Sequence, residues 1–277
     1  MQERLEGCRM NKEDAQKLAI MKQDVEIARA LSNIKHKIVV MSGKGGVGKS
    51  TVTVKLAEEF NRDGYRVCVL DADIHGPDIP EMMQVHDPEV TLTANRINPI
   101  VTPSGVSVLS IEFFLPSKDT PVIWRGPKKT GAIRQLLSDV NWDEIDVLMV
   151  DNPPGTGDEP LTVLQSIPSI DGVVIVTTPH EFAIHDVEKC VNMVKHLKIP
   201  VLGIVENMSY LMCPSCGEKI FLFGKEGGKY LAEKFNLPFL GEVPFDTGMT
   251  AADTPPESIH SEIRKIFKNL KESLKDR

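Results

Sequence analysis

The 277-residue chain has no apolar run long enough to span a bilayer, which takes about 20 consecutive residues. No secretory signal stands at its start, and the expectation is a cytoplasmic protein without a membrane partner. Cysteine is scarce and odd in number: Cys8, Cys68, Cys190, Cys213 and Cys216. Such a set is not a disulfide framework. Positive charge is not in excess, with Lys+Arg 32 against Asp+Glu 39 and a net charge of −7. That argues against a nonspecific nucleic-acid binder, which is commonly basic. What is present is an ordinary balance of 41% hydrophobic and 26% charged residues. The length is ample for one large α/β domain or two small ones.

The chain is organised around Ser42-Gly43-Lys44-Gly45-Gly46-Val47-Gly48-Lys49-Ser50-Thr51, which contains the phosphate-loop pattern G-x-x-x-x-G-K-[ST]. The apolar run 38–41 before it reads as a buried strand, and 51–60 after it reads as a helix. Glycines let consecutive backbone N–H groups turn toward phosphate oxygens. The following helix N-terminus adds partial positive charge. Lys49 is placed to reach the β- and γ-phosphates, and the Ser50 hydroxyl to bind Mg²⁺. Lys44, alone, would be a solvated charge.

Further strands are expected at 66–70, 105–111, 145–150, 172–177, 201–205 and 239–242. Helices are expected at 11–33, 130–140 and 183–197, and residues 81–105 read as irregular. Two strands end in aspartates. The first runs into Asp71-Ala72-Asp73, at the edge where open α/β sheets bind ligands. Asp73 could orient the attacking water and Asp71 could act near Mg²⁺, or both could make a turn. The second ends at Asp151, a Walker B arrangement that holds Mg²⁺, followed by Asn152-Pro153-Pro154-Gly155-Thr156-Gly157-Asp158. Cys68 and Cys190 read as core fillers, and His180 and His185 have no metal spacing with the cysteines. A stripe of Leu18, Met21, Val25, Ala28 and Leu31 suggests that the first helix packs on the core or a partner.

Cys213-Pro214-Ser215-Cys216-Gly217 places two thiols three residues apart across a tight turn. They can hold one soft metal centre together, but a tetrahedral zinc or a [4Fe–4S] cluster needs four ligands. The alternatives are a redox dithiol, an incomplete site, or a symmetric dimer supplying two plus two. At the other end of the chain, Ile259, Ile263, Phe267, Leu270 and Leu274 alternate with basic residues. Such a helix either packs on the core or lies on a membrane.

The loop K-G-G-V-G-K-S resembles the deviant P-loop of the MinD, ParA, NifH and Mrp ATPases. D-x-D-x-x-G-P at 71–77, W-R-G-P at 124–127, D-x-P-P-G-T-G-D at 151–158 and C-P-x-C at 213–216 are similar to the Mrp/ApbC branch, its iron–sulfur cluster carriers. The resemblance spans about residues 36 to 250. It implies an α/β fold, a mostly parallel sheet with helices on both faces, of the P-loop NTPase class with a deviant Walker A. It implies residues 1–35 as an N-terminal helical extension and 36–277 as the ATPase domain, carrying an inserted CxxC loop and a C-terminal helix. ATP, Mg²⁺ and a [4Fe–4S] cluster are the implied ligands, and a homodimer with slow ATPase activity and apo iron–sulfur clients the implied assembly. Lys44 would reach the partner's nucleotide, Asn207 would read adenine through its amide, and the 243–246 loop would flank the base. Cys213 and Cys216 of two protomers would share one cluster. The chain departs from the branch at Asp78, where serine is usual, and in lacking an N-terminal cysteine cluster beyond Cys8. The alternative within the superfamily is a MinD-like positioning ATPase that cycles on a membrane.

Overall fold

The computed structural model of the protein describes residues 12–74, 76–86, 88–114, 126–213, 215–245 and 257–275. Cys8, Trp124, Arg125 and Asp246 lie outside the described residues. The chain opens with α1 (Lys12–Ala30), then β1 (His36–Ser42), α2 (Lys49–Arg62) and β2 (Val67–Asp71). Residues 79–110 hold a short α3 (Ile79–Met82), a ribbon of β3 (Leu92–Thr93) and β4 (Arg96–Ile97), the edge strand β5 (Ile100–Val101), and β6 (Ser107–Ser110). There follow α4 (Gly126–Asp139), β7 (Val147–Asp151), α5 (Asp158–Ser166), β8 (Gly172–Thr177), α6 (Glu181–His196) and β9 (Val201–Glu206). A hairpin of β10 (Leu211–Met212) and β11 (Lys219–Ile220) leads to α7 (Gly227–Phe235), β12 (Phe239–Glu242) and α8 (Glu257–Lys275).

Eight strands form one sheet in the order β12-β9-β8-β1-β7-β2-β6-β5. Every pairing in it is parallel except β5 on β6. The central strands are near-continuous apolar runs because both faces are covered. On one face Ile27, Leu31, Trp142, Val163, Val191 and Leu231 pack together, drawn from α1, α5, α6, α7 and the segment after α4. On the other, Val52, Leu56 and Phe60 of α2 meet Ile263, Ile266 and Leu270 of α8. The α/β class and the mostly parallel sheet are therefore as the sequence implies.

Both end helices settle questions left open by patterning. In α8 the apolar face is spent on the core, with Ile259, Ile263, Ile266 and Leu270 buried and Arg264, Lys265 and Lys268 exposed. No helix among the described residues is long and apolar enough to cross a membrane. The stripe expected on the first helix is met only at its end: Leu18, Met21, Val25 and Ala28 are exposed, while Leu31 is buried beside Ile27, Ala30 and Ile34. Only the last turns of α1 reach the sheet, so only their apolar residues find a partner. The turn before them lies along α4, where Arg134 bonds Gln23 and Asp24.

At the opposite edge from the site, Asp146 ties β7 to β2. Its carboxylate accepts the Arg66 backbone N–H and Nε, both at 3.0 Å, and pairs with Lys35 Nζ at 2.9 Å. The Arg66 guanidinium and N–H hold its carboxyl well below the usual carboxylate range. A folded-state pKa below the unfolded one stabilises the protein above about pH 4 and is lost as pH falls toward the depressed value. Asp146→Asn should therefore cost about 1–3 kcal/mol at pH 7. It should also flatten the acid limb of the thermal midpoint against pH, read by calorimetry.

Candidate functional site

The carboxyl ends of β1, β2, β7, β8 and β9 converge on the loop 43–48. Gly48 sits at φ 80, the left-handed region, and a Cβ there would lie 2.1 Å from Asn207 Nδ2, so only glycine fits. Gly43 is confined from the other side, its Cβ position lying 2.6 Å from the Asp186 carbonyl carbon of α6. The loop is also tied to the segment after β7, since the Gly155 N–H donates to the Ser42 carbonyl at 2.8 Å. Helix α2 starts at Lys49 without a side-chain cap, so its first N–H groups face the loop.

Asp151 is the hub. It is buried at the end of β7, in register with Val40 of β1 and Asp71 of β2. Its Oδ2 accepts from Lys49 Nζ at 2.5 Å and from Ser50 Oγ at 2.7 Å, and its Oδ1 accepts from Thr53 Oγ1 at 2.7 Å. Lys49 is itself buried, so this is an ion pair held by hydroxyl donors out of water. Asp71 lies alongside, 1% exposed. Burial, and then the neighbouring Asp151 charge, push its carboxyl well above the usual range. Ser110 Oγ and the Asp73 N–H contact Asp71 at 3.4 and 3.1 Å. Asp73, two residues on, is partly exposed. This constellation fits Mg²⁺ and a phosphate chain: a glycine cradle, a helix start, one lysine, one hydroxyl and a carboxylate at the strand end.

Lys44, Gly45 and Gly46 form the outer part of the loop, with Gly45 and Gly46 exposed and Lys44 partly so, while Val47 is buried. Ser50 and Thr51 open α2 and are partly exposed. Asn207, just past β9, is buried and donates from Nδ2 to the Val47 carbonyl at 2.9 Å. Its own N–H bonds the Thr177 carbonyl at 2.8 Å. Asn207 is thus an anchor of the loop in this structure. Thr53 escaped the sequence reading, although it stands one helical turn after Lys49, on the same face. Cys190 is fully buried, as expected of a filler, but its thiol also approaches the carbonyls of Ser42 at 3.5 Å and Gly155 at 3.6 Å. Burial pushes that thiol up to about 12, and Cys68 higher still, so neither is a nucleophile.

The second constellation is the β10–β11 hairpin. The N–H of Cys213 donates to the Glu218 carbonyl at 2.9 Å, and that of Gly217 to the Cys213 carbonyl at 2.8 Å, with Gly217 at φ 73. Cys213 and Cys216 are free thiols, the first half-buried and the second exposed. Backbone N–H groups of Cys216 and Ser215 point at the Cys213 sulfur and lower its pKa. That favours a thiolate, the form that ligates metal. Among the described residues no group of three or more His, Cys, Asp and Glu side chains could hold a metal ion. The hairpin brings two free thiols together.

The fold and the Lys49–Asp151 site define a P-loop NTPase. The chain belongs to the ParA family of NUBPL iron-transfer P-loop NTPases, whose model it matches over residues 33–275. It is 55% identical over 224 residues to the iron-sulfur cluster carrier protein of Methanococcus maripaludis, covering 81% of this chain and 78% of that one. It is 47% identical to the cytosolic Fe-S cluster assembly factor NUBP2 homolog of Dictyostelium discoideum, covering 79% of this chain and 84% of that one. Among solved structures, a nucleotide-binding protein of Archaeoglobus fulgidus in complex with ADP superposes with a TM-score of 0.73 at 39% identity, covering 90% and 92% of the two chains. The cell-division ATPase MinD of Pyrococcus furiosus shares the fold, with a TM-score of 0.60 at 23% identity over 86% and 99%.

Proposed function

We propose that this protein is an ATP-hydrolysing iron–sulfur cluster carrier that works as a homodimer. Two copies would each contribute Cys213 and Cys216 to one [4Fe–4S] cluster, which is cargo for apo iron–sulfur proteins. The observation that carries the proposal is the pairing of two free thiols, one half-buried and one exposed, on the hairpin after β9 with a phosphate site at the carboxyl ends of the strands. Membership of an iron-transfer NTPase family makes the function that of a carrier and not of a MinD-like positioning ATPase. The buried apolar face of α8 agrees, since that face is not free to lie on a membrane. The carrier names of relatives such as that from Methanococcus maripaludis support the cargo. The word cytosolic in the Dictyostelium discoideum name supports a cytoplasmic location.

In this reading the N–H groups of Gly43, Lys44, Gly45, Gly46, Val47 and Gly48, with Lys49, Ser50 and Thr51, cradle the phosphates of ATP. Ser50 and Asp151 hold Mg²⁺, which when bound spreads the charge developing on the γ-phosphoryl group. Asp73 orients the water whose oxygen bonds to phosphorus as the bridging P–O bond to ADP breaks. Lys44 serves the partner's nucleotide, and Asn207 lies beside the base. We read residues 1–35 as an extension to an ATPase domain of 36–277, with the end of α1 built into its core.

The test is cluster transfer. Anaerobically reconstituted protein should restore activity to an apo dehydratase that requires a [4Fe–4S] cluster, faster than iron and sulfide alone. Transfer no faster than from free iron and sulfide would reject the carrier reading.

A further inference from the structure

Between the phosphate loop and the cysteine hairpin runs a set of polar contacts joined through chain neighbours. It starts at Asn207, whose amide holds the Val47 carbonyl. Its chain neighbour Glu206 is buried at the end of β9. Glu206 Oε2 accepts the Gly228 N–H in the first turn of α7 at 2.6 Å, and its Oε1 accepts the Ser209 hydroxyl at 2.5 Å. The same hydroxyl oxygen lies 3.3 Å from Glu242 Oε2 at the end of β12. Glu206 and Glu242 are direct neighbours across the β9–β12 ladder. Glu242 Oε1 in turn accepts from Lys219 Nζ at 2.6 Å. Lys219 begins β11, directly after Glu218, whose carbonyl holds the Cys213 N–H. The Lys219 ammonium also lies 3.6 Å from the centre of the Tyr210 ring, which fixes it over the base of the hairpin.

Two features suit this set of contacts to switching. The Ser209 hydroxyl has one proton and two carboxylates in reach, so it bonds one at a time. The two carboxylates are adjacent like charges, and Lys219 is the cation that bonds one of them. A shift of residues 207–209 would change which carboxylate the hydroxyl satisfies, and so how strongly Glu242 is left to hold Lys219. Two discrete arrangements of one element, biased from both ends, are what physical coupling requires.

We propose that Lys219 and Glu242 form a latch that transmits nucleotide occupancy at the loop 43–48 to the position of Cys213 and Cys216 within one protomer. They are positioning residues. The proposal rests on the reading of the two sites given above, but its test uses the cluster-free protein, so the two fail separately. Thiol reactivity is the readout: the iodoacetamide alkylation rate at Cys213 and Cys216, mapped by mass spectrometry, with and without saturating ADP or a non-hydrolysable ATP analogue. A half-exposed ion pair is a modest latch. Wild type should therefore change rate by about fivefold with nucleotide, the lower end of ordinary coupling.

Lys219→Met and Glu242→Gln should each abolish that response while binding nucleotide as tightly as wild type. Lys219→Arg, which keeps the charge, should restore most of it. A wild type whose thiols ignore nucleotide overturns the latch, as do variants that respond like wild type. Variants whose nucleotide affinity falls in step with the response also overturn it, because they would act on the loop and not between the sites.

Discussion

Lys49→Ala should lower ATP hydrolysis by at least about a hundredfold, the ordinary cost of losing one preorganised donor to transition-state charge. The larger consequence lies in the fold around it. Lys49 is buried against Asp151 at 2.5 Å, and removing one member of a buried ion pair costs about 3 kcal/mol or more. Asp151 would keep its Ser50 and Thr53 hydroxyls but lose the one cation bonded to it among the described residues. Asp71, its neighbour in register on β2, already has a raised pKa and would be the natural proton acceptor.

The sign follows from linkage. A carboxyl whose folded pKa lies above its unfolded value binds more protons in the native state over that interval. Stability is then full below about pH 4 and declines as pH rises toward the folded pKa. Loss of the lysine widens that interval. The thermal midpoint of Lys49→Ala should therefore fall more steeply than that of wild type as pH rises above about 4, measured by calorimetry. Lys44→Ala is the control. Lys44 is partly exposed in the outer loop, and its loss should reduce hydrolysis in the assembled protein with little change in midpoint. Equal pH slopes for Lys49→Ala and wild type would mean that the pair does not govern the local charge balance.

The second large effect concerns the hairpin. Cys213→Ala and Cys216→Ala should each abolish the charge-transfer absorption formed on anaerobic reconstitution with iron and sulfide. A symmetric site loses two of its four thiolates with one substitution, because each protomer carries it. The loss should be close to complete in both variants and not graded. Backbone order should survive, since neither thiol supports the core: one is half-buried, the other exposed. Cys190→Ser and Cys68→Ser are the matched comparison, both sulfurs being buried away from the hairpin, and both variants should still assemble the chromophore. Absorption that persists in Cys213→Ala and Cys216→Ala alike would remove the hairpin as the ligand.

The sequence was most readable where one local rule sufficed. Continuous apolar runs became the buried parallel strands β1, β7, β8 and β9, and the glycine loop between strand and helix marked the phosphate site. The Asp151 end of β7 was visible for the same reason. Residues whose role depends on a distant partner were not visible. Helix α7 begins with Gly227 and Gly228, both poor helix formers. Its first turn is bonded instead by Glu206, 22 residues earlier, which no window of local sequence contains. Thr53 looked like one more helix residue until β7 brought Asp151 to it, 98 residues away. Asn207 was visible as a polar residue after a strand, but its contact with Val47 across 160 residues belongs to the sheet order. The Leu18, Met21 and Val25 stripe shows the converse. Helical spacing was correctly read, yet periodicity says which residues share a face and not which face meets the sheet.

The claim on which the rest depends is that one cluster joins two copies of the chain. Native mass spectrometry of the anaerobically reconstituted wild-type protein with ATP tests it most directly. The mass expected is that of two chains with one [4Fe–4S] unit, and Cys216→Ala should carry no iron. A single chain that retains a full cluster, with or without nucleotide, would contradict it.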